Sequence, residues 1–292
     1  MKLPQKGSFF RGRKKPPLTL RQPRAYNEIM AGYYEKRIDR AFGKAKAINR
    51  EDHQKLVFFS DCHRGDGSWS DSFLHNKILY QAALDYYWKA GFSYVEVGDG
   101  DELWENRSFR RIKEIHGDVF DSLSRFALSG RMFMLAGNHD KVKLKTCAEA
   151  LVIKNRGEKD IFVIHGHQAD FFNDKLWPLA RFMVRYLWRP LELSGFKDPT
   201  SAARNYRKGS AVENRLISWA KKNDKNIMAG HTHRPAIIKI GERNIKYLNT
   251  GSCVHPNGIT CIELSGEKPS LVRWTKCVDE NRRIYVCRQI LS

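Results

Sequence analysis

Leu56-Val57-Phe58-Phe59-Ser60-Asp61-Cys62-His63 reads as a short buried strand that stops on an acid and an imidazole. Four consecutive large apolar residues leave no polar face, so the run suits a strand covered on both sides. Asp61 and His63 stand two apart, which in extended chain sends both side chains to the same side. The same grammar repeats downstream. A β-rich run at 94–97 is followed by Gly98-Asp99-Gly100-Asp101-Glu102, and one at 131–136 by Gly137-Asn138-His139-Asp140. Two more, at 161–164 and 226–229, are followed by His165-Gly166-His167 and Gly230-His231-Thr232-His233. Helical spacing at 71–90 and 112–128 separates the earlier runs. Strands alternating with helices predict an α/β fold whose ligands gather at the carboxyl ends of the strands.

Outward from this centre the pattern changes. Runs at 236–240, 245–248, 259–264 and 271–275 are separated by Gly-Glu and Asn-Gly turns, which predicts an antiparallel meander. Residues 282–291 add a further strand, and the whole reads as a mixed α/β sandwich. Towards the N-terminus, Arg11-Gly12-Arg13-Lys14-Lys15 and two prolines lead into helical spacing at 26–48, with Ile29, Tyr33, Ile38 and Phe42 on one stripe. The expected organisation is a basic, partly helical extension over 1–50 and one domain over 51–292.

Composition bounds the functional classes. A chain that is 41% hydrophobic and 12% aromatic has ample core, which excludes wholesale disorder. Its longest apolar runs are too short to span a bilayer. No apolar segment follows the basic N-terminus, so no secretory signal is expected. Six cysteines without a Cys-x-x-Cys pair read as reduced thiols in a cytoplasmic protein. The formal charge of +20 predicts attraction to polyanions, whether nucleic acid, an anionic membrane surface or phosphorylated substrates.

A lone histidine is usually structural, but five ordered motifs at strand ends point to a metal site. Imidazole with carboxylate suits Mn, Fe or Zn better than Ca. In identity and order the series resembles the calcineurin-like metallophosphoesterases over about residues 56–264. That resemblance implies a four-layer α/β/β/α sandwich with two divalent ions, Mn foremost and Fe or Zn as alternatives. It implies that Asp61, His63 and His233 hold one ion, that Asn138, His165 and His231 hold the other, and that Asp99 bridges them. His139 then stands beside the scissile phosphate, not on a metal. Paired cations of this kind clamp phosphoryl oxygens and activate a bridging hydroxide for in-line attack. His139, oriented by Asp140, is the expected general acid, with Asp140 as a turn cap the alternative. Asp101 and Glu102 either orient ligands or start a helix. His167 is expected behind the ligands, Arg64 and Asn106 are candidate substrate contacts, and Asn249–Cys253 lines the site or forms a turn. His53, His75 and His116 read as surface or helix residues.

The stretch 170–222 exceeds what one connection needs and reads as a helical insertion. Arg181, Arg185 and Arg189 stripe an otherwise apolar helix, which suits a membrane interface, a cap over a lipid-bearing substrate or burial against the core. A second helix, 201–222, carries Arg204, Arg207 and Lys208 as candidate phosphate ligands. With Leu103-Trp104 and Gly230-His231-Thr232-His233-Arg234-Pro235, this resembles the UDP-2,3-diacylglucosamine pyrophosphatase branch. The resemblance implies Mn-dependent cleavage of a nucleotide–lipid pyrophosphate at the inner face of the membrane. Two positions depart from it: His139 replaces the branch's arginine, and His167 replaces the aspartate of His-Gly-Asp. The alternatives are a nuclease or nucleotide phosphodiesterase, a protein phosphatase, and a non-catalytic metal-binding scaffold.

Overall fold

The structure, a computed structural model, describes residues 24–68, 70–184, 186 and 206–292. Twelve strands form two six-stranded sheets. The first sheet has the order β1-β5-β6-β7-β9-β8, from β1 (Lys46–Asn49), β5 (Ala150–Lys154), β6 (Ile161–Ile164), β7 (Asn226–Ala229), β8 (Ala236–Ile240) and β9 (Ile245–Asn249). The second has the order β12-β11-β10-β2-β3-β4, from β2 (Leu56–Phe59), β3 (Ser93–Val97), β4 (Met132–Leu135), β10 (Ile259–Leu264), β11 (Ser270–Val278) and β12 (Ile284–Ile290). Every residue of β2, β3, β6 and β7 is buried, as their continuous apolar runs require.

Three apolar layers hold the sandwich together. Between the sheets, Phe58, Val95, Val97 and Leu135 meet Leu151, Ile153, Val163 and Met228. Outside the second sheet lie α2 (Lys77–Lys89) and α4 (Gly117–Leu128); α4 buries Val119, Leu123 and Phe126 at helical spacing. Outside the first sheet lie α1 (Arg24–Gly43) and α7 (Tyr206–Asn223), which brings Val212, Leu216 and Trp219 onto Phe162 and Ile227. The four layers are therefore helices, sheet, sheet, helices, as expected. Smaller helices α3 (Phe109–Ile115), α5 (Phe171–Asp174) and α6 (Trp177–Met183) sit in the connections.

The five motif-bearing strands divide between the two sheets of the sandwich: β2, β3 and β4 belong to the second, β6 and β7 to the first. Several expectations need correction. The C-terminal strands are not one meander. β8 and β9 pair with each other in the first sheet, whereas β10, β11 and β12 pair in the second. The N-terminal helix stops at Gly43, and Ile48 belongs to β1, an edge strand paired in parallel with β5. Ile38 and Ala41 are buried against the first sheet, but Ile29, assigned to the same stripe, is 71% exposed. Residues 24–49 are thus part of the sandwich, and the expected boundary at 50 falls between β1 and β2. The helical stretch 112–128 is two helices that meet at His116. That histidine is fully buried, its Nε2 2.9 Å from Asp71 Oδ2, and is not a surface residue.

Cys277 and Cys287 are joined by a disulfide across β11 and β12, which corrects the expectation of six reduced thiols. Cys62, Cys147, Cys253 and Cys261 are free. Of the described residues, no helix is long and apolar enough to cross a membrane.

Candidate metal centre

Two parallel sets of strands end at the same place. Asp61 and His63 follow β2, Asp99 follows β3 and Asn138 follows β4, while His165 follows β6 and His231 and His233 follow β7. The loops after β2 and β3 are zipped by main-chain bonds: Asp61 N donates to Gly98 O at 3.1 Å, His63 N to Asp99 O at 2.9 Å and Arg64 N to Gly100 O at 3.0 Å. Across the sheets, His231 N donates to Asp61 Oδ2 at 2.9 Å. Among the described residues, eight non-glycine residues have positive φ, and five of them are Asp61, His63, Asp99, His231 and His233. Each such residue costs about 1 kcal/mol or more, a strain that persists only where the surroundings impose it and that gathers at functional sites. Gly98 shows why side chains are excluded next to it. Its φ is 84°, and a Cβ there would lie 2.6 Å from His165 Nδ1.

Among the described residues, three groups have ligand-type atoms that all lie within 4.8 Å of one another: Asp61, His63 and His233; Asp99, His165 and His231; and His63, Glu102 and His139. The first is the set expected for one ion; the second joins His165 and His231, expected on the other ion, to Asp99, expected as the bridge, and Asn138 is buried. His233 Nε2 stands 3.1 Å from Asp61 Oδ1, and His165 Nε2 stands 3.1 Å from Asp99 Oδ2. His165 Nδ1 donates to Val97 O at 2.8 Å, so Nε2 is the nitrogen turned into the site. Burial alone would raise both carboxyls. The imidazoles of His233 and His165 beside Asp61, and of His165 and His139 beside Asp99, outweigh it and hold both well below the usual range. Burial would likewise lower His165, yet Asp99 and Asp61 lift it to about 9. A potential that draws a proton onto a buried ring also draws a cation. Three buried atoms of the expected ligands, Asn138 Oδ1, His165 Nε2 and His231 Nε2, make no hydrogen bond. Buried polar atoms are rarely left so, and a cation between these groups would satisfy them. The donor set and its geometry fit divalent metal.

His139 belongs to the third group, with His63 and Glu102, and is held by its neighbours. Its Nδ1 is 2.8 and 2.7 Å from the two oxygens of Glu102, and its ring stacks on Trp104 with centroids 4.2 Å apart. Trp104 Nε1 donates to Asn138 O at 2.6 Å, and His139 N donates to Asp99 Oδ1 at 2.8 Å. Burial would lower the imidazole, but Glu102 and Asp99 raise it. Glu102 also accepts from His63 Nδ1 at 2.9 Å, leaving Nε2 of that ring for the site. Asp140 does not orient His139. Its oxygens accept from Gly137 N at 2.7 Å and Gly100 N at 3.2 Å, so it caps the turn, and Glu102 takes the orienting role.

The remaining candidates scatter. Arg64 is fully buried between Asp101 Oδ1 at 2.7 Å and Glu96 Oε2 at 2.9 Å, which removes it from substrate contact. Asn106 is also buried, and its Nδ2 donates to Glu102 O at 2.9 Å, so it supports the Glu102 loop. Arg204 lies outside the described residues, as do Arg185, Arg189 and the basic run 11–15. Arg207 is exposed, and Lys208 Nζ stands 3.2 Å from Asp170 Oδ2 at the edge of the site. His167 sits buried behind His165, with ring centroids 5.4 Å apart. Burial and the neighbouring His165 keep its pKa well below the usual value. The segment Asn249–Cys253 buttresses the site: Thr250 Oγ1 is 2.6 Å from Ser60 Oγ, which in turn touches Asp61 Oδ2. Ser60 and Asp170 carried no expectation, although each stands next to a motif or within a few residues of one.

Such a sandwich, with a His/Asp/Asn cluster at the meeting of its two sheets, defines the metallophosphoesterase class of fold. Residues 54–235 match the calcineurin-like phosphoesterase family, and the chain belongs to that family. No curated protein matches the chain. Among solved structures, one similar chain is a conserved uncharacterized protein, a predicted phosphoesterase, from Streptococcus pneumoniae TIGR4. It is 17% identical, covering 81% of this chain and 97% of that one with a TM-score of 0.38. Another is Chaetomium thermophilum Vps29, 13% identical, covering 81% of this chain and 95% of its own with a TM-score of 0.44.

Proposed function

We propose that the chain hydrolyses a phosphoester or pyrophosphate bond at a two-cation centre. Asp61, His63 and His233 would hold one ion, Asn138, His165 and His231 the other, with Asp99 shared. The pair of compact ligand groups brought together from opposite sheets carries this reading. Divalent ions there, Mn being the first to supply, give Lewis acidity and a water of lowered pKa, so the chain needs no general base of its own. Its residues bind, orient and donate. Asp99 Oδ1 accepts the His139 main-chain N–H, which fixes that loop against the ligand set. With Nδ1 of His139 held by Glu102, Nε2 is left as proton donor to the departing oxygen. His139→Ala is expected to lower turnover of an alkyl phosphodiester by about 10²–10⁴-fold, the range for a lost general acid. A p-nitrophenyl ester, whose leaving group needs no proton, should lose far less. Steady-state rates on the two esters check this, and equal losses would remove His139 from the acid role.

We further propose that the substrate is an amphiphilic phosphate met at an anionic lipid surface. Phe172, Leu179, Phe182, Met183 and Tyr186, in and beside α5 and α6, are exposed. The one acid of that stretch, Asp174, is buried against Arg37 and Lys141, which leaves exposed Lys175 and half-buried Arg181 as its charged groups among the described residues. Leu179 and Met183, aliphatic groups that offer no face for base stacking, favour lipid over a nucleic acid. Sedimentation with phosphatidylglycerol vesicles should carry the chain down. Failure to bind vesicles, with steeply salt-dependent binding to duplex DNA or RNA, would assign the charge to nucleic acid instead.

A further inference from the structure

We propose that Trp104 is a positioning residue for the proton donor: its indole fixes the plane of the His139 ring, and so the direction in which Nε2 meets the substrate. The role rests on His139 acting as the donor at the cation centre proposed above. Trp104 stands two residues past Glu102 in the loop after β3 and is 4% exposed. Its ring lies nearly parallel to that of His139, at an interplanar angle of 20° with centroids 4.2 Å apart. Its Nε1 donates to Asn138 O at 2.6 Å, and its main-chain N donates to Glu102 Oε1 at 3.1 Å.

The two partners are consecutive residues, Asn138 expected on a cation and His139 beside the phosphate, so one side chain grips both. The indole N–H takes the main-chain oxygen of Asn138 and leaves Oδ1, which has no hydrogen bond, for the cation. Glu102 alone does not set the direction of Nε2. A hydrogen bond at Nδ1 holds one point of the imidazole, and the terminal torsion of histidine is soft, so the ring still swings about that point. An indole stacked on its face resists the swing, because turning the imidazole would drive its edge into the larger ring. The loop that presents the indole is itself anchored: Glu102 N donates to Arg64 O at 3.0 Å, and Asn106 Nδ2 to Glu102 O at 2.9 Å. Carboxylate, indole and imidazole form a closed set, in which Glu102 Oε1 meets His139 Nδ1 at 2.8 Å on one side and the Trp104 main chain on the other.

The test uses the whole Mn²⁺-loaded chain and two diesters, one with an alkyl leaving group and one with p-nitrophenolate, which needs no proton. Trp104→Leu should lower kcat for the alkyl diester by about 10²-fold, the cost of a displacement near 1 Å, and lower it far less for the p-nitrophenyl diester. Trp104→Phe, which keeps a stacking ring and lacks the N–H, should fall between Trp104→Leu and wild type on the alkyl diester. Equal losses on the two esters in Trp104→Leu would overturn the proposal and leave the indole as packing. His139→Ala is the control: equal losses there would overturn the donor reading, and the role of Trp104 with it. A second measurement needs no substitution at Trp104. In the Zn²⁺-loaded wild type, the carbon-bound ring protons of His139, assigned by their loss in His139→Ala, should be displaced upfield by the indole ring current. Undisplaced signals would mean that the rings do not stack in solution and would overturn the proposal, whatever the stability of Trp104→Leu.

Discussion

Asp99→Asn is expected to cut metal-dependent ester hydrolysis by about 10⁴-fold, the largest effect of any single substitution in this chain. Four decades correspond to about 5.4 kcal/mol of transition-state stabilisation, within the several kcal/mol that metal charge contributes in such sites. The reason lies in the position of Asp99. It is buried, its Oδ2 is 3.1 Å from His165 Nε2, and its Oδ1 accepts from His139 N at 2.8 Å. One carboxylate therefore touches the second ligand group and the backbone of the proposed acid at once. Replacing an oxygen by an amide keeps the shape and removes the negative charge that would balance the two proposed cations. Rates and bound metal, measured on the same sample, should fall together. A variant that loses metal and still turns over would contradict the role given to this residue.

Arg64→Met is expected to destabilise the folded chain by about 3–5 kcal/mol, the cost of stranding buried charge. Arg64 has no exposed surface and is matched by Asp101 and Glu96, both fully buried. Lys143 completes the cluster through Asp101 and stands 3.5 Å from Asp140 Oδ2. Removal of the guanidinium leaves Asp101, Glu96 and Asp140 with Lys143 as their one nearby cation, in a place water hardly reaches. The loss matters for a domain whose total stability is of order 5–15 kcal/mol. Urea denaturation of wild type and variant without added metal checks it. A difference under about 1 kcal/mol would mean that the cluster relaxes or hydrates, and that it does not brace the loops after β2 and β3.

These two residues also show what a sequence reveals and what it hides. Asp99 is legible because a strand, a glycine and an acid are neighbours in the chain, and local order is enough to place the acid at a strand end. Arg64 is not legible. Next to Asp61-Cys62-His63 it reads as a substrate contact, and only its pairing with Glu96 and Asp101, distant in sequence, shows that it faces inward. The same limit separates Asp140 from Glu102. Adjacency suggested that Asp140 orients His139, whereas the partner that does so is Glu102, 37 positions away. Sheet membership failed for a related reason. Apolar runs announce strands, but the partition of β8–β12 between two sheets is decided by long-range pairing that alternation does not encode. β5 carries no motif to mark it in the sequence, although it pairs with both β1 and β6.

The most direct measurement is a titration of the metal-stripped chain with Mn²⁺, following hydrolysis of p-nitrophenyl phosphate, bis-p-nitrophenyl phosphate and a nucleotide–lipid pyrophosphate. The predicted result is no turnover in chelator and activity on at least one substrate that reaches its maximum at two bound ions per chain. Two ions bound with no turnover on any ester, or activity complete at one ion, would contradict a two-cation phosphoesterase.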